Sequence, residues 1–256
     1  MEMLNVRHVV KTYEGKVATP VLKGIDLTVE QGEFIGIMGP SGSGKTTFLN
    51  TVATIDNPTS GEVFINGINP HLLKKEKLAS FRRRELGFVF QSFNLLHTLT
   101  VEENIMLPLT LEGVSVKKMK RDANELAERL GISGIMKKRT YEISGGQMQR
   151  VAIARAIIHR PKLVLADEPT GNLDSKASRD VMETLEDINR NDGATMMMVT
   201  HDAFAASYCS RVIFIKDGVM YKEIRPTSNR QVFFQQIMEV LAIMGGDQSE
   251  FSPGRV

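Results

Sequence analysis

The sequence predicts an α/β fold in which a parallel sheet is interrupted by a helical insert, and three observations predict it. Strand-length apolar runs alternate with helical segments near both ends of the chain. One of these runs enters a glycine-rich turn that opens a helix. Between about residues 101 and 159 the chain becomes charged and helix-periodic instead.

Taken in order, residues 4–10, 25–29 and 33–38 are strand-type runs, and the third leads through the glycine turn into a helix over 46–53. Residues 61–66 and 86–90 are further strands. Within 117–130, Ala123, Leu126, Ala127 and Leu130 recur at helical spacing. A second helix is expected over 147–159, with Pro161 just beyond it. Strands return at 162–166, 195–200 and 211–216, with a helix over 175–189 between the first two. Asp217-Gly218, between apolar runs at 212–215 and 219–221, signals a hairpin. Val232, Phe233, Gln236, Ile237, Val240 and Leu241 form a helical stripe, read as a terminal helix packed on the core in preference to a partner-binding one. Residues 245–256 are polar and expected to fray. The expected division is a core of 1–91 with 160–225, an insert of 92–159, and a C-terminal helix and flexible tail over 226–256.

Composition narrows the function classes. With 42% hydrophobic and 24% charged residues, the chain has the makeup of a folded globular protein. A net charge of +2 gives no electrostatic case for nucleic acid. Arg82-Arg83-Arg84 is followed at once by Glu85 and reads as a solvated face. Cys209, the single cysteine, rules out an internal disulfide and fits a reducing compartment; with no basic cluster beside it, it reads as packing. Met196-Met197-Met198 reads as buried strand, and no Cys/His set has zinc spacing. No signal peptide and no apolar run near 20 residues is visible, so a membrane path is expected from another protein.

Gly39-Pro40-Ser41-Gly42-Ser43-Gly44-Lys45-Thr46 matches the phosphate-binding pattern G-x-x-x-x-G-K-[ST] at every fixed position, after an apolar strand and at a helix start. Backbone N–H groups and the helix dipole suit phosphate oxygens there. Lys45 is expected to reach the β- and γ-phosphates and the Thr46 hydroxyl to ligate Mg²⁺, with Thr47 completing the nucleotide contacts. Residues 163–166 form an apolar strand ending in Asp167-Glu168. Asp167 is placed to hold the metal and Glu168 to face the attacking water.

A P-loop alone does not choose among kinases, GTPases and motors. Ile143-Ser144-Gly145-Gly146-Gln147-Met148-Gln149-Arg150 resembles the signature motif of ABC ATPases, with isoleucine in place of the usual leading leucine. A small polar residue and two glycines at a helix start also repeat the P-loop's anion-binding logic. The other motifs of the family follow in order over nearly the whole chain. Gln91 resembles the Q-loop glutamine, Asn172-Leu173-Asp174 the D-loop, and Thr200-His201-Asp202 the switch histidine. Tyr13 is placed like the aromatic that stacks on adenine, or is an ordinary exposed loop tyrosine.

The resemblance implies a P-loop NTPase (RecA-like) core, an antiparallel β portion and an inserted helical subdomain carrying the signature. It implies ATP and Mg²⁺ as ligands, with Gln91 beside the metal. Two copies are expected to dimerise head to tail, Ser144 to Gln147 and Asp174 of one contacting the ATP on the other's P-loop. Glu168 would polarise the lytic water, His201 would hold the γ-phosphate, and Gln91 would report nucleotide state to an integral-membrane permease at the cytoplasmic face of the plasma membrane. Residues 166–174 resemble the macrolide-export and lipoprotein-release branch. Residues 201–221 and Phe233-Phe234 are similar to the bacitracin-resistance type, whose members pair with a permease bearing a large extracellular domain and with a sensor histidine kinase. An ABC ATPase of DNA or ribosomes lacks support, there being no coiled-coil, zinc or second ATPase segment. A regulatory switch of a membrane complex, or a lipoprotein-release or macrolide-export ATPase, stays open. Phe93-Asn94-Leu95-Leu96 is apolar enough either to dock the permease or to pack locally against the insert.

Overall fold

In the computed structural model, residues 1–15 and 17–245 are described; the expected tail beyond Gly245 lies outside the described residues. The chain opens with β1 (Glu2–Tyr13), β2 (Thr19–Glu30), β3 (Phe34–Met38), α1 (Lys45–Val52) and β4 (Ser60–Ile65). Then come α2 (Lys75–Glu85), β5 (Leu86–Phe90), α3 (Val101–Leu111), α4 (Val116–Arg129) and α5 (Gly145–Ile157). The rest is β6 (Leu163–Asp167), α6 (Ser175–Asp192), β7 (Thr195–Val199), α7 (Ala203–Ala206), β8 (Arg211–Lys216), β9 (Val219–Ile224) and α8 (Arg230–Gly245).

Two sheets form. One is antiparallel, in the order β2-β1-β4. The other runs β5-β6-β7-β3-β8-β9, parallel except for the last pair. Its central strands β3 and β7 are buried at every residue, which is why their sequences are unbroken apolar runs. Period-two alternation divides these residues between two cores. Ile35, Ile37, Leu165, Met197 and Ile213 face α1 and the antiparallel sheet. Phe34, Val164, Met196, Met198 and Phe214 face the layer built from α3 to α8. Gly36 lies on the second face with Cys209 over it, Sγ standing 3.1 Å from where a β-carbon would be. Burial drives the Cys209 thiol pKa far up, so its place is in packing.

α8 buries Phe233, Ile237, Val240 and Met244 against this layer, as its stripe predicts. Arg230, at its start, pairs with Glu186 of α6 and lies over the Tyr208 ring. The Asp217-Gly218 turn joins β8 to β9 with φ of 52° and 82°, the left-handed pair a tight hairpin needs.

Three helices were not anticipated. α2 buries only Phe81, α3 contains Pro108, and α7 is a single turn of four residues. The arginine run is less free than its charge pattern suggests. Arg83 and Arg84 both pair with Glu112 just past α3, and Arg82 donates to the hydroxyl and carbonyl of Thr54. At the other end of the helical layer, Arg129 of α4 grips Asp187 at 2.7 Å and Asp192 at 2.6 Å, both on α6.

Candidate nucleotide-binding and catalytic site

The P-loop leaves the C-terminal end of β3 in the middle of the sheet and turns into α1. This is the side of a parallel sheet where ligands bind. Two glycines make the turn possible. Gly39 has φ of 151°, and a β-carbon there would lie 2.1 Å from the Ile215 carbonyl. Gly44 has φ of 103°, and its β-carbon would press on Leu22 at 2.9 Å. Lys45 begins α1 and donates from Nζ to the carbonyls of Gly39 at 2.9 Å and Pro40 at 2.8 Å. Burial lowers its pKa, opposed by the charges of Glu168 and Asp167. Ser43 Oγ is buried without a hydrogen-bond partner among the described residues. Thr46 is exposed on the first turn of the helix and Thr47 half-buried.

Asp167 ends β6, flanked in register by Phe90 of β5 and Val199 of β7. Its pKa is raised by burial and by the neighbouring Glu168, with Lys45 acting the other way. Glu168 steps out of the strand at φ 44°, a left-handed conformation costly for a side-chain-bearing residue. The turn is fixed by Glu168 N–H donating to Val199 O at 2.9 Å and Gly171 N–H donating to Glu168 O at 3.0 Å. There Glu168 Oε1 lies 3.0 Å from Nδ1 of the exposed His201. A carboxylate only accepts, so Nδ1 is the donor and Nε2 is turned to other work. Beside the pair opens a hollow of about 450 Å³, lined also by Thr170, Ser178, Arg179 and Phe204.

The structure thus brings Lys45, Asp167, Glu168 and His201 into one electrostatic group. The signature residues lie apart from it, at the start of α5. Ser144 is the helix cap, its Oγ accepting from Gln147 N–H while Gln147 Oε1 accepts from Ser144 N–H. Gly145 and Gly146 also have packing reasons to be glycine, since β-carbons would meet Leu173 at 3.3 Å and Ala177 at 3.0 Å. A second hollow of about 130 Å³ lies here, between Ser144, Gly146, Arg150 and the start of α6. Asp174 caps α6, accepting from the N–H groups of Lys176 and Ala177, both at 2.9 Å.

Gln91 sits on the seam between these groups. Its carbonyl accepts from Asn172 Nδ2 at 3.0 Å, and its amide lies over Gly171. Tyr13 is 42% exposed at the end of β1. Its hydroxyl donates to Asp56 at 2.7 Å and Lys11 Nζ lies 4.7 Å from the ring centre. Partial burial opposes ionisation of Asp56, but hydrogen bonds from Lys11 and Tyr13 hold its pKa below the ordinary value. Of the apolar stretch 93–96, Leu95 is only 6% exposed and packs in the helical core, while Leu96 stays exposed. Local packing therefore claims Leu95, and a docking role for its side chain is withdrawn.

Gln149, Arg155 and Asp56 were not singled out from the sequence. A polar Gln149 among the apolar residues of α5 was the available signal for the first. Arg155 donates to the carbonyls of Phe93 and Asn94, which no local pattern announces.

A family model described as ABC transporter matches residues 22–171. The chain belongs to the ABC transporter family. It is the ATP-binding, ATP-hydrolysing component, with the P-loop core and the mixed α/β architecture of that family. The cassette is 59% identical over 254 residues to the ABC transporter ATP-binding protein YxdL of Bacillus subtilis, across 99% of each chain. It is 48% identical over 252 residues to the bacitracin export ATP-binding protein BceA of Halalkalibacterium halodurans, covering 98% of this chain and all of that one. Among solved structures it is similar to the ATP-binding cassette MJ0796 of Methanocaldococcus jannaschii, in a dimeric post-hydrolysis state bound to ADP and Pi. That likeness has a TM-score of 0.80 and 41% identity, over 87% of this chain and 98% of the other. No helix among the described residues of the cassette is long and apolar enough to cross a membrane.

Proposed function

We propose that this cassette dimerises around two Mg-ATP and drives a separate permease that counters bacitracin-like peptides at the cytoplasmic face of the plasma membrane. The observation that carries the chemical half is the 3.0 Å contact between His201 and Glu168. It supports Glu168 as the group that orients the attacking water and draws its proton, with His201 Nε2 left to meet the γ-phosphate. Lys45 neutralises phosphate charge once its ammonium leaves the Gly39 and Pro40 carbonyls. The unpartnered Ser43 hydroxyl suits a phosphate oxygen.

Mg²⁺ fits the residues present. Among the described residues no cluster of three acidic, histidine or cysteine side chains could form a protein cage. A hydroxyl from Thr46, the half-buried Asp167 carboxylate and the Gln91 amide match an ion that keeps waters and leans on phosphates. When bound, it would supply charge neutralisation on the phosphate oxygens. The hydroxyl and N–H groups of Ser144, with Gly145, Gly146 and Gln147, would take the partner's γ-phosphate, and Asp174 would sit at that seam. Tyr13 offers its ring to adenine.

The peptide half rests on the likeness to the bacitracin export protein, over nearly the full length of both chains. A permease with a large extracellular domain and a sensor histidine kinase are the partners proposed with it, on the resemblance of residues 201–221 and Phe233-Phe234 to the bacitracin-resistance type. Cells expressing the cassette with its permease should tolerate bacitracin-type peptides, and Lys45→Ala should remove that tolerance while the protein still accumulates. Unchanged tolerance with Lys45→Ala would overturn the peptide-resistance reading.

A further inference from the structure

Gln149 lies on α5 five positions after the Ser144 cap, and its side chain is fully buried. Its Nε2 donates to the carbonyl of Pro169 at 2.7 Å and approaches that of Phe90 at 3.4 Å. Its Oε1 is buried with no hydrogen-bond partner among the described residues. A methionine of similar size would fill the space, but it would strip the buried Pro169 carbonyl of its donor, so the amide is there to hold that carbonyl.

What the amide holds is specific. Pro169 directly follows Glu168, whose φ of 44° must be maintained by its surroundings. The other two bonds fixing this turn come from β7 and from the turn itself. Gln149 is the hold that reaches in from the helix carrying the signature. Its second carbonyl belongs to Phe90, the residue before Gln91. A shift of α5 along its axis therefore moves the Pro169 carbonyl, and with it the Glu168 carboxylate.

We propose that Gln149 is a positioning residue linking the signature end of α5 to Glu168 in the same protomer. Phosphate captured at Ser144 in one site of the dimer then sets the geometry for hydrolysis in the other. This rests on the roles given above to Ser144 and Glu168.

The test compares full-length Gln149→Met, Glu168→Gln, the double variant and the unaltered chain. Gln149→Met should lower kcat about tenfold or more with KM for ATP within about twofold, because misplacing a catalytic group costs turnover rather than binding. Its Hill coefficient for ATP should fall from near 2 towards about 1 as the link between sites is cut. Its melting temperature should fall only by the few degrees that one lost buried hydrogen bond costs, and the double variant should still dimerise in ATP as Glu168→Gln does. If Glu168→Gln keeps its activity, the catalytic reading falls and this inference with it. If Glu168→Gln is inactive while Gln149→Met keeps the kcat and cooperativity of the unaltered chain, or if the unaltered chain shows no cooperativity, only the Gln149 link is overturned. A double variant that no longer dimerises in ATP makes Gln149 a packing residue and also overturns it.

Discussion

Asp167 is held half-buried beside a second carboxylate, and both circumstances push its pKa up. Its folded pKa lies above the unfolded one, so its contribution favours folding below the ordinary aspartate range and is lost as pH rises through the folded value. At pH 7 the ionised group is a net cost to the nucleotide-free fold. Asp167→Asn should therefore raise the melting temperature at pH 7, with the gain shrinking towards about pH 4. The same variant should lose Mg²⁺-dependent hydrolysis; calorimetry across pH, with a phosphate-release assay, checks both. Lys45→Ala should abolish ATP binding in a fluorescent-nucleotide titration while leaving the circular dichroism spectrum unchanged, since Lys45 contributes only two hydrogen bonds to its own loop. Residues like these were legible because phosphate chemistry fixes residue type at fixed spacing. Gln149 and the Asp56 partner of Tyr13 were not, because their bonds join residues 20 or more positions apart.

Helices and strands divide along a similar line. β3, β6 and β7 could be read closely because both faces are buried, so hydrophobicity alone marks their ends. β1 and β2 run to 12 residues each, but they are half polar and their pairing slips register, so only their apolar middles showed. α2 is pinned through its arginines and buries one side chain, leaving no apolar stripe to find. The 93–96 stretch illustrates the same limit, since an apolar run does not say which side chains turn inward. Its backbone holds Phe93 and Asn94 at φ of 60° and 49°, and Arg155 donates to both carbonyls. Arg155→Ala should cost about 1 kcal/mol, because the part-buried Phe93 carbonyl loses its donor while the exposed Asn94 carbonyl can turn to water. Hydrogen–deuterium exchange should quicken across 92–97 while the amides of β6 stay protected. Probes for the permease belong at Leu96, the exposed member; Leu96→Cys should crosslink to the permease in an active complex, and its failure to do so would move the docking site elsewhere.

For the molecule as a whole, the decisive property is that Ser144 lines a hollow at the start of α5 while Lys45 lies in the P-loop, so each completed site is expected to need two chains. Glu168→Gln keeps shape but removes the carboxylate, and should slow hydrolysis about 10²-fold or more while sparing binding. Light scattering after size exclusion should show it monomeric alone, dimeric in Mg-ATP and monomeric in ADP; adding Ser144→Arg should abolish the dimer. The C-terminal helix belongs to the same body: Phe233→Ala, emptying a fully buried site, should cost about 3–5 kcal/mol in denaturant unfolding. The Arg129 clamp has a further consequence. It fastens α4 to α6 with charges that remain partly open to solvent, and mobile ions shorten the reach of such charges from about 8 Å at physiological strength to about 3 Å in molar salt. The stiffness of this joint is thus partly a property of the medium. Concentrated salt should therefore slacken the joint between α4 and α6 while leaving the apolar contacts of the same layer in place.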